Sequence, residues 1–362
     1  VVVPQEKMNR LERLREALSK EGIGGFLVTN IKNIRYLTGF SGSSAFLLVK
    51  GDETVFFTDS RYEIQSKQEV GKKCRIHITR EGFLKELPDY LSGLSELFFE
   101  PESLTYDQYE TFKEKLGLPL KPLKGAVFAL RKRKSPDEIG AISKAQAITD
   151  GVFSWVIENL EPGRMTEADL ALEMDYQMKK RGADATAFST IVATGPHSAL
   201  PHASPRSVTI KKNTVLLLDF GAAKEGYCSD MTRTLWIGPK KPPDELREVY
   251  AVVADAQKTA IEGIRPGLTC RDVDALARDV IASRGYGELF GHGLGHGVGL
   301  DVHEAPYLSY LADCVLEGDE VTTIEPGVYI EGRFGVRIED MVWVREEGPR
   351  VITGSPKELI TI

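Results

Sequence analysis

Residues 291–304 read GHGLGHGVGLDVHE, with glycine at five alternate positions and three of the chain's six histidines inside fourteen residues. Two familiar folds are excluded at once. A dinucleotide-binding turn needs G-x-G-x-x-G, whose third glycine falls five positions after the first. Here the glycines stand at 291, 293, 295, 297 and 299, all odd, so no such triple occurs. The H-E-x-x-H zinc helix fails too. His292 and His296 are four apart, but no acid lies between them and glycine at every second place disfavours a helix.

The segments on either side show what the histidines could serve. Residues 215–219 read VLLLD, and eleven positions after Asp219 a second acid, Asp230, precedes Met-Thr-Arg. Residues 321–325 read VTTIE, and fourteen positions after Glu325 a second acid, Glu339, sits in RIEDM. The pattern predicts two hairpins, each a strand, a glycine-containing connection and a returning strand, with an acid on every strand. An acid at the end of an apolar strand is costly to bury unless it is paired or bound to metal. One such acid reads as a turn or capping carboxylate; four in a repeated arrangement do not. Converging carboxylates repel one another, and divalent metal is the economical counter-charge. An imidazole from 291–304 would complete a hard-to-intermediate ligand set, the glycines letting the backbone pack close. His292, His296 and His303 cannot all bind without making the set histidine-rich. One ligand and two catalytic neighbours is the division expected.

At 362 residues, 42% hydrophobic and 27% charged, the chain has the composition of a globular protein long enough for two domains. A net charge of -7 and a pI near 5.6 argue against a nucleic-acid partner, which needs a basic face. The one basic run, Arg131-Lys132-Arg133-Lys134, reads as a solvated linker. Cys74, Cys228, Cys270 and Cys314 form no C-x-x-C pair, suggesting neither a disulfide framework nor a thiolate zinc site, and a reducing cytoplasm fits best. No stretch reaches the roughly 20 apolar residues of a membrane span. Val1-Val2-Val3-Pro4 is too short for a signal-peptide core and reads as a disordered leader.

Along the first third, helix-spaced Met8, Leu11, Leu14 and Leu18 are stopped by Gly22. Strands are expected at 25–29, 45–49 and 54–58, the last two joined by the turn Lys50-Gly51-Asp52-Glu53. Further helix-like and strand-like segments at 83–94, 97–100 and 106–116 make this an α/β layer domain. Ser135-Pro136-Asp137-Glu138 is a helix start, and that helix should run to Leu160. Thr166 caps a second helix that Gly182 closes. The junction falls between Lys124 and Ser135, giving domains 1–128 and 129–362.

These segments resemble the pita-bread metallopeptidases, in the branch of aminopeptidase P and prolidase. The matching motifs are LPH (200–202), LLLDFG (216–221), SDMTRT (229–234), GHGVGLDVHE (295–304), TIEPGVY (323–329) and VRIEDM (336–341), in family order, with RYLTGFSGSSAFLLV like the family's creatinase-type N-terminal domain. The resemblance implies an α/β (α+β) chain: a smaller creatinase-type domain followed by a pita-bread catalytic domain. It implies that Asp219, Asp230, His296, Glu325 and Glu339 bind two divalent ions, Asp230 and Glu339 bridging them. With one nitrogen ligand, manganese is expected first, cobalt second, and zinc is disfavoured. Two such ions lower the pKa of a shared water for attack on the scissile carbonyl. The resemblance makes Glu325 its proton acceptor and His303 a stabiliser of the developing oxyanion. His202, His292 and Arg337 match the remaining active-site positions; His197 and His77 match nothing and read as surface residues. A homodimer is expected from family habit alone.

Three rivals are weaker. Methionine aminopeptidases usually lack so large a leading domain, creatinase works without metal, and the pita-bread binding modules have lost the ligands present here. An Xaa-Pro bond offers no N–H and a locked φ, so selectivity must come from a pocket for the pyrrolidine. Many prolidases follow His-Glu-x-Pro with an arginine suited to a dipeptide's carboxylate. Here His303-Glu304-Ala305-Pro306 is followed by Tyr307. The departure leans towards an aminopeptidase P-like enzyme, with a dipeptide-restricted prolidase as the alternative.

Overall fold

The computed structural model describes residues 9–51 and 53–362, so the leader 1–4, Met8 and Asp52 of the expected turn lie outside the described residues. The chain divides into two compact units, Val1–Arg131 and Lys132–Ile362.

In the first unit, Asn9 and Glu12 cap one another's backbone at the start of helix Arg10–Lys20, whose Leu11, Leu14 and Leu18 face inward. A six-stranded mixed sheet follows, in the order Arg75–Thr79, Glu53–Asp59, Phe46–Lys50, Gly25–Val28, Leu97–Phe99, Leu120–Pro122. Leu27, Leu48, Phe57 and Leu97 form the centre of its core. The outermost strands were not expected: Leu120–Pro122 is only three residues long, and Arg75–Thr79 alternates polar and apolar residues too briefly to stand out. His77 is not a surface residue. Its Nε2 meets Glu86 Oε2 at 2.5 Å and its Nδ1 meets the Tyr90 hydroxyl at 2.8 Å, leaving the side chain about a quarter exposed.

In the second unit two halves share one grammar. Helices Pro136–Asn159 and Glu167–Lys180, capped by Ser135 with Glu138 and by Thr166 with Asp169, pack their Val152, Phe153 and Met174 on strand Thr214–Phe220. That strand lies between Met231–Ile237 and Ile191–Thr194. Helices Asp244–Gly263 and Cys270–Ser283 likewise cover Ile324 and Val342 with Val253, Ala260 and Val273. Those belong to a five-stranded sheet ordered Glu304–Leu308, Gly295–Gly297, Glu320–Ile324, Asp340–Val344, Arg350–Val351. Each half is thus helices outside and antiparallel strands inside, the architecture of a pita-bread domain.

Three expectations change. The basic run is not a solvated linker: Lys132 Nζ lies 2.8 Å from fully buried Glu320, Arg133 3.3 Å from Asp319, and buried Lys134 2.9 Å from Glu304. Arg131, also buried, donates to Asn33 Oδ1 at 2.8 Å. Each cation meets a partner distant in sequence, so a local charge count cannot see the pairing. Cys270 and Cys314 form a disulfide across 44 residues. An antiparallel bridge between Thr269 and Val315 brings their Cα atoms to 5.5 Å, whatever their spacing in sequence. The inference from scattered cysteines to a reducing compartment loses its footing. Finally, of the four acids only Asp219 lies within a strand; Asp230, Glu325 and Glu339 stand one residue beyond strand ends, where the ladder lets go and a side chain can turn inward. Among the described residues no helix is long and apolar enough to cross a membrane.

Candidate active site

The two halves meet at a cavity of about 620 Å³ inside the second unit. Thr232 sits opposite Asp219 in the first hairpin, and Ile324 opposite Asp340 in the second, which sets Glu325 and Glu339 side by side just past the end of the ladder. The connection between these last two folds into a hairpin of its own, Gly327–Ile330 against Phe334–Arg337, ending on Arg337. Strand Gly295–Gly297 is wedged between Glu304–Leu308 and Glu320–Ile324 and presents His296. The glycines there have a steric reason: a Cβ on Gly295 would lie 2.1 Å from Thr323 O, and one on Gly297 2.3 Å from Ala305 O.

Asp219, Asp230, His296, Glu325, Glu339, His202, His292, His303 and Arg337 all line this cavity. Ligand-type atoms of Asp230, His296 and Glu339 lie within 4.8 Å of one another. His296 Nε2 is 3.3 Å from Glu325 Oε1 and 3.6 Å from Asp230 Oδ2. His296 Nδ1 is 3.1 Å from the Gly297 carbonyl, which can only accept, so Nδ1 carries the proton and Nε2 turns a lone pair towards carboxylates. Lone pairs facing one another at this distance call for a proton or a metal cation between them.

Two further observations fit a metal. Among the described residues Asp219 Oδ1 is buried without a hydrogen-bond donor, while Oδ2 takes Arg337 Nη2 at 2.5 Å. Burial, then the neighbouring carboxylates, push Asp230 and Glu339 well above the usual carboxylate range, and burial drives Glu325 up to about 7. These are acids held together at a cost that bound cations would remove. The donor set, four carboxylates with one imidazole, suits a divalent ion.

Around this cluster the proton positions follow from geometry. Arg337 Nη1 donates to the Tyr329 hydroxyl at 2.8 Å, which leaves that hydroxyl's own proton free to be donated to His292 Nε2 at 2.9 Å. His292 Nδ1–H then points at Gly293 O at 2.8 Å. Burial and then Arg337 lower the His292 pKa to about 4, so the ring is neutral, with Nδ1 carrying the proton and Nε2 accepting from Tyr329. The His303 ring lies 4.2 Å from that of His296, and burial, then His296, lowers its pKa as well. His202 is exposed at the cavity wall, on a loop fastened by buried Glu167. Glu167 accepts from Thr194 N, Thr194 Oγ1 and Arg206 Nε and meets His197 Nδ1 at 3.0 Å. His197, expected at the surface, is buried because it fills this network.

Tyr329 and Thr232 were not singled out by sequence reasoning, nor were Phe188 and Ile191, which add apolar wall to the cavity. Tyr329 and Thr232 lie inside the quoted motifs. The available signal was their position two or four residues from an acid on an extended strand.

The model of metallopeptidase family M24 matches residues 140–346, and that of the creatinase/prolidase N-terminal domain matches 10–132. The chain belongs to metallopeptidase family M24. It is similar to the Xaa-Pro dipeptidase of Bacillus anthracis, with 41% identity, 98% of this chain and 99% of that one covered, and a TM-score of 0.93. The X-Pro aminopeptidase of Thermotoga maritima is 35% identical, over 97% and 100% of the two chains, with a TM-score of 0.89. The Xaa-Pro dipeptidase of Pyrococcus furiosus is 35% identical over 97% of this chain and 99% of its own. The family makes this protein a metallopeptidase with a creatinase-type N-terminal domain ahead of a pita-bread domain. The binding-module rival is set aside.

Proposed function

We propose that the protein is an Xaa-Pro dipeptidase working with two divalent metal ions. The observation that carries the reading is the convergence of Asp230, Glu325 and Glu339 on His296, with Asp219 lining the same cavity. Similarity at 41% and 35% identity to proteins called Xaa-Pro dipeptidases supports the dipeptide form over the aminopeptidase reading drawn from Tyr307.

Asp219, Asp230, His296, Glu325 and Glu339 would hold the ions, manganese first and cobalt second for so oxygen-rich a set. Bound there, the ions would polarise the scissile carbonyl and ease ionisation of the attacking water. Glu325 accepts the proton of that water. His303, beside His296, donates to the carbonyl oxygen as it gains charge. Arg337 and Tyr329 keep Asp219 and His292 in place, and Phe188 and Ile191 offer apolar surface to the pyrrolidine ring.

The test is a side-by-side assay of Ala-Pro and Ala-Pro-Ala after chelation and after return of Mn2+ or Co2+. The expected outcome is activity only with metal and a higher kcat/KM for Ala-Pro. Full activity in a metal-free sample would remove the mechanism, and a clear preference for the tripeptide would restore the aminopeptidase reading.

A further inference from the structure

We propose that Thr232 is a positioning residue for the metal centre, its hydroxyl fixing Glu339 in the orientation in which it binds metal. The inference rests on the metal-centre reading above. Thr232 is fully buried on strand Met231–Ile237, paired with Asp219 across the ladder. Arg337 Nε donates to Thr232 Oγ1 at 3.0 Å. The hydroxyl's single proton is therefore left for Glu339 Oε2, 2.7 Å away. The Thr232 carbonyl also accepts Glu339 N–H at 3.1 Å, so one residue grips both the backbone and the side chain of residue 339. Since Arg337 Nη2 holds Asp219 Oδ2, the line Asp219–Arg337–Thr232–Glu339 joins an acid of the first hairpin to an acid of the second. Glu339 Oε2 accepts this one side-chain hydrogen bond, and Glu339 also lines the cavity.

Partners that orient a metal ligand are typically worth about 10- to 100-fold in metal affinity. Thr232→Val keeps the shape and loses the hydroxyl; Thr232→Ser keeps the hydroxyl. Mn2+ is titrated by calorimetry into chelator-stripped wild type, both variants and Asp230→Ala, with thermal unfolding of each metal-free protein as the check on folding. Thr232→Val should bind Mn2+ about 10- to 100-fold more weakly, and Thr232→Ser close to wild type. Should Thr232→Val not fold, Thr232→Ala takes its place with the same weakening expected. Wild-type affinity in a folded variant lacking the hydroxyl, or an equal loss in Thr232→Ser, overturns the inference alone. Asp230→Ala binding Mn2+ as well as wild type overturns the metal-centre reading, and the role of Thr232 with it.

Discussion

Lys134 Nζ and Glu304 Oε1 lie 2.9 Å apart, with both side chains almost wholly withdrawn from water. Glu304 directly follows His303, and its carboxylate packs so tightly on Gly299 that a Cβ there would stand 2.4 Å from Oε1. The ion pair thus ties the start of the second unit to the loop that carries His303. Removing one partner of a buried pair costs on the order of 3–5 kcal/mol, because the other charge stays behind, whereas removing both charges costs much less. Lys134→Met should therefore be far less stable to urea than Lys134→Met/Glu304→Gln. Equal losses in the single and double variants would show that the two side chains do not act as a unit.

What could be read from the sequence was what repeats locally. The helix starts at Ser135 and Thr166 were visible because a cap and its acid lie three residues apart. The acids at 219, 230, 325 and 339 were visible because each interrupts apolar or β-branched sequence in a pattern that occurs twice. Lys134, His197 and Cys314 were misread for the opposite reason. Their partners Glu304, Glu167 and Cys270 lie 170, 30 and 44 residues away and are met only through tertiary contacts. Thr232 shows the same limit inside the site, since a strand threonine looks identical whether it faces a ladder neighbour or a cavity carboxylate such as Glu339.

Glu167 should give the protein an acid-sensitive clamp. Burial raises its carboxyl, but the Arg206 side chain and the Thr194 donors together outweigh that and hold it at about 2, against an ordinary value of 4.5. A carboxyl with a folded pKa below its unfolded one stabilises fully above the unfolded value, and the stability is lost as pH falls towards the folded one. The contribution is on the order of 3 kcal/mol at neutral pH. The stability gap between wild type and Glu167→Gln should accordingly shrink between pH 5 and pH 2.5, as measured by chemical denaturation. A gap that stays constant over that range would mean the carboxyl is not held down in the folded state.

A dipeptide substrate brings a free carboxylate that a group at the cavity must hold. Arg337 is poorly placed to do it: Nε is on Thr232 Oγ1, Nη1 on Tyr329 and the Pro201 carbonyl, and Nη2 on Asp219. Tyr307 lines the cavity in the place where an arginine would otherwise follow Pro306, and its side chain is half in solvent. His202 stands at the exposed cavity wall and can donate to an anion entering from outside. A lost charge-assisted hydrogen bond is worth roughly 1.5 to 3 kcal/mol, or about ten- to a hundredfold in specificity. His202→Ala should thus lower kcat/KM for Ala-Pro by that factor, chiefly through KM, and lower it less for Ala-Pro-Ala, whose carboxylate lies further out. Tyr307→Arg should widen the preference for Ala-Pro by supplying a second anchor. If His202→Ala depresses both substrates equally through kcat, the histidine serves the reacting bond, and the carboxylate is bound elsewhere.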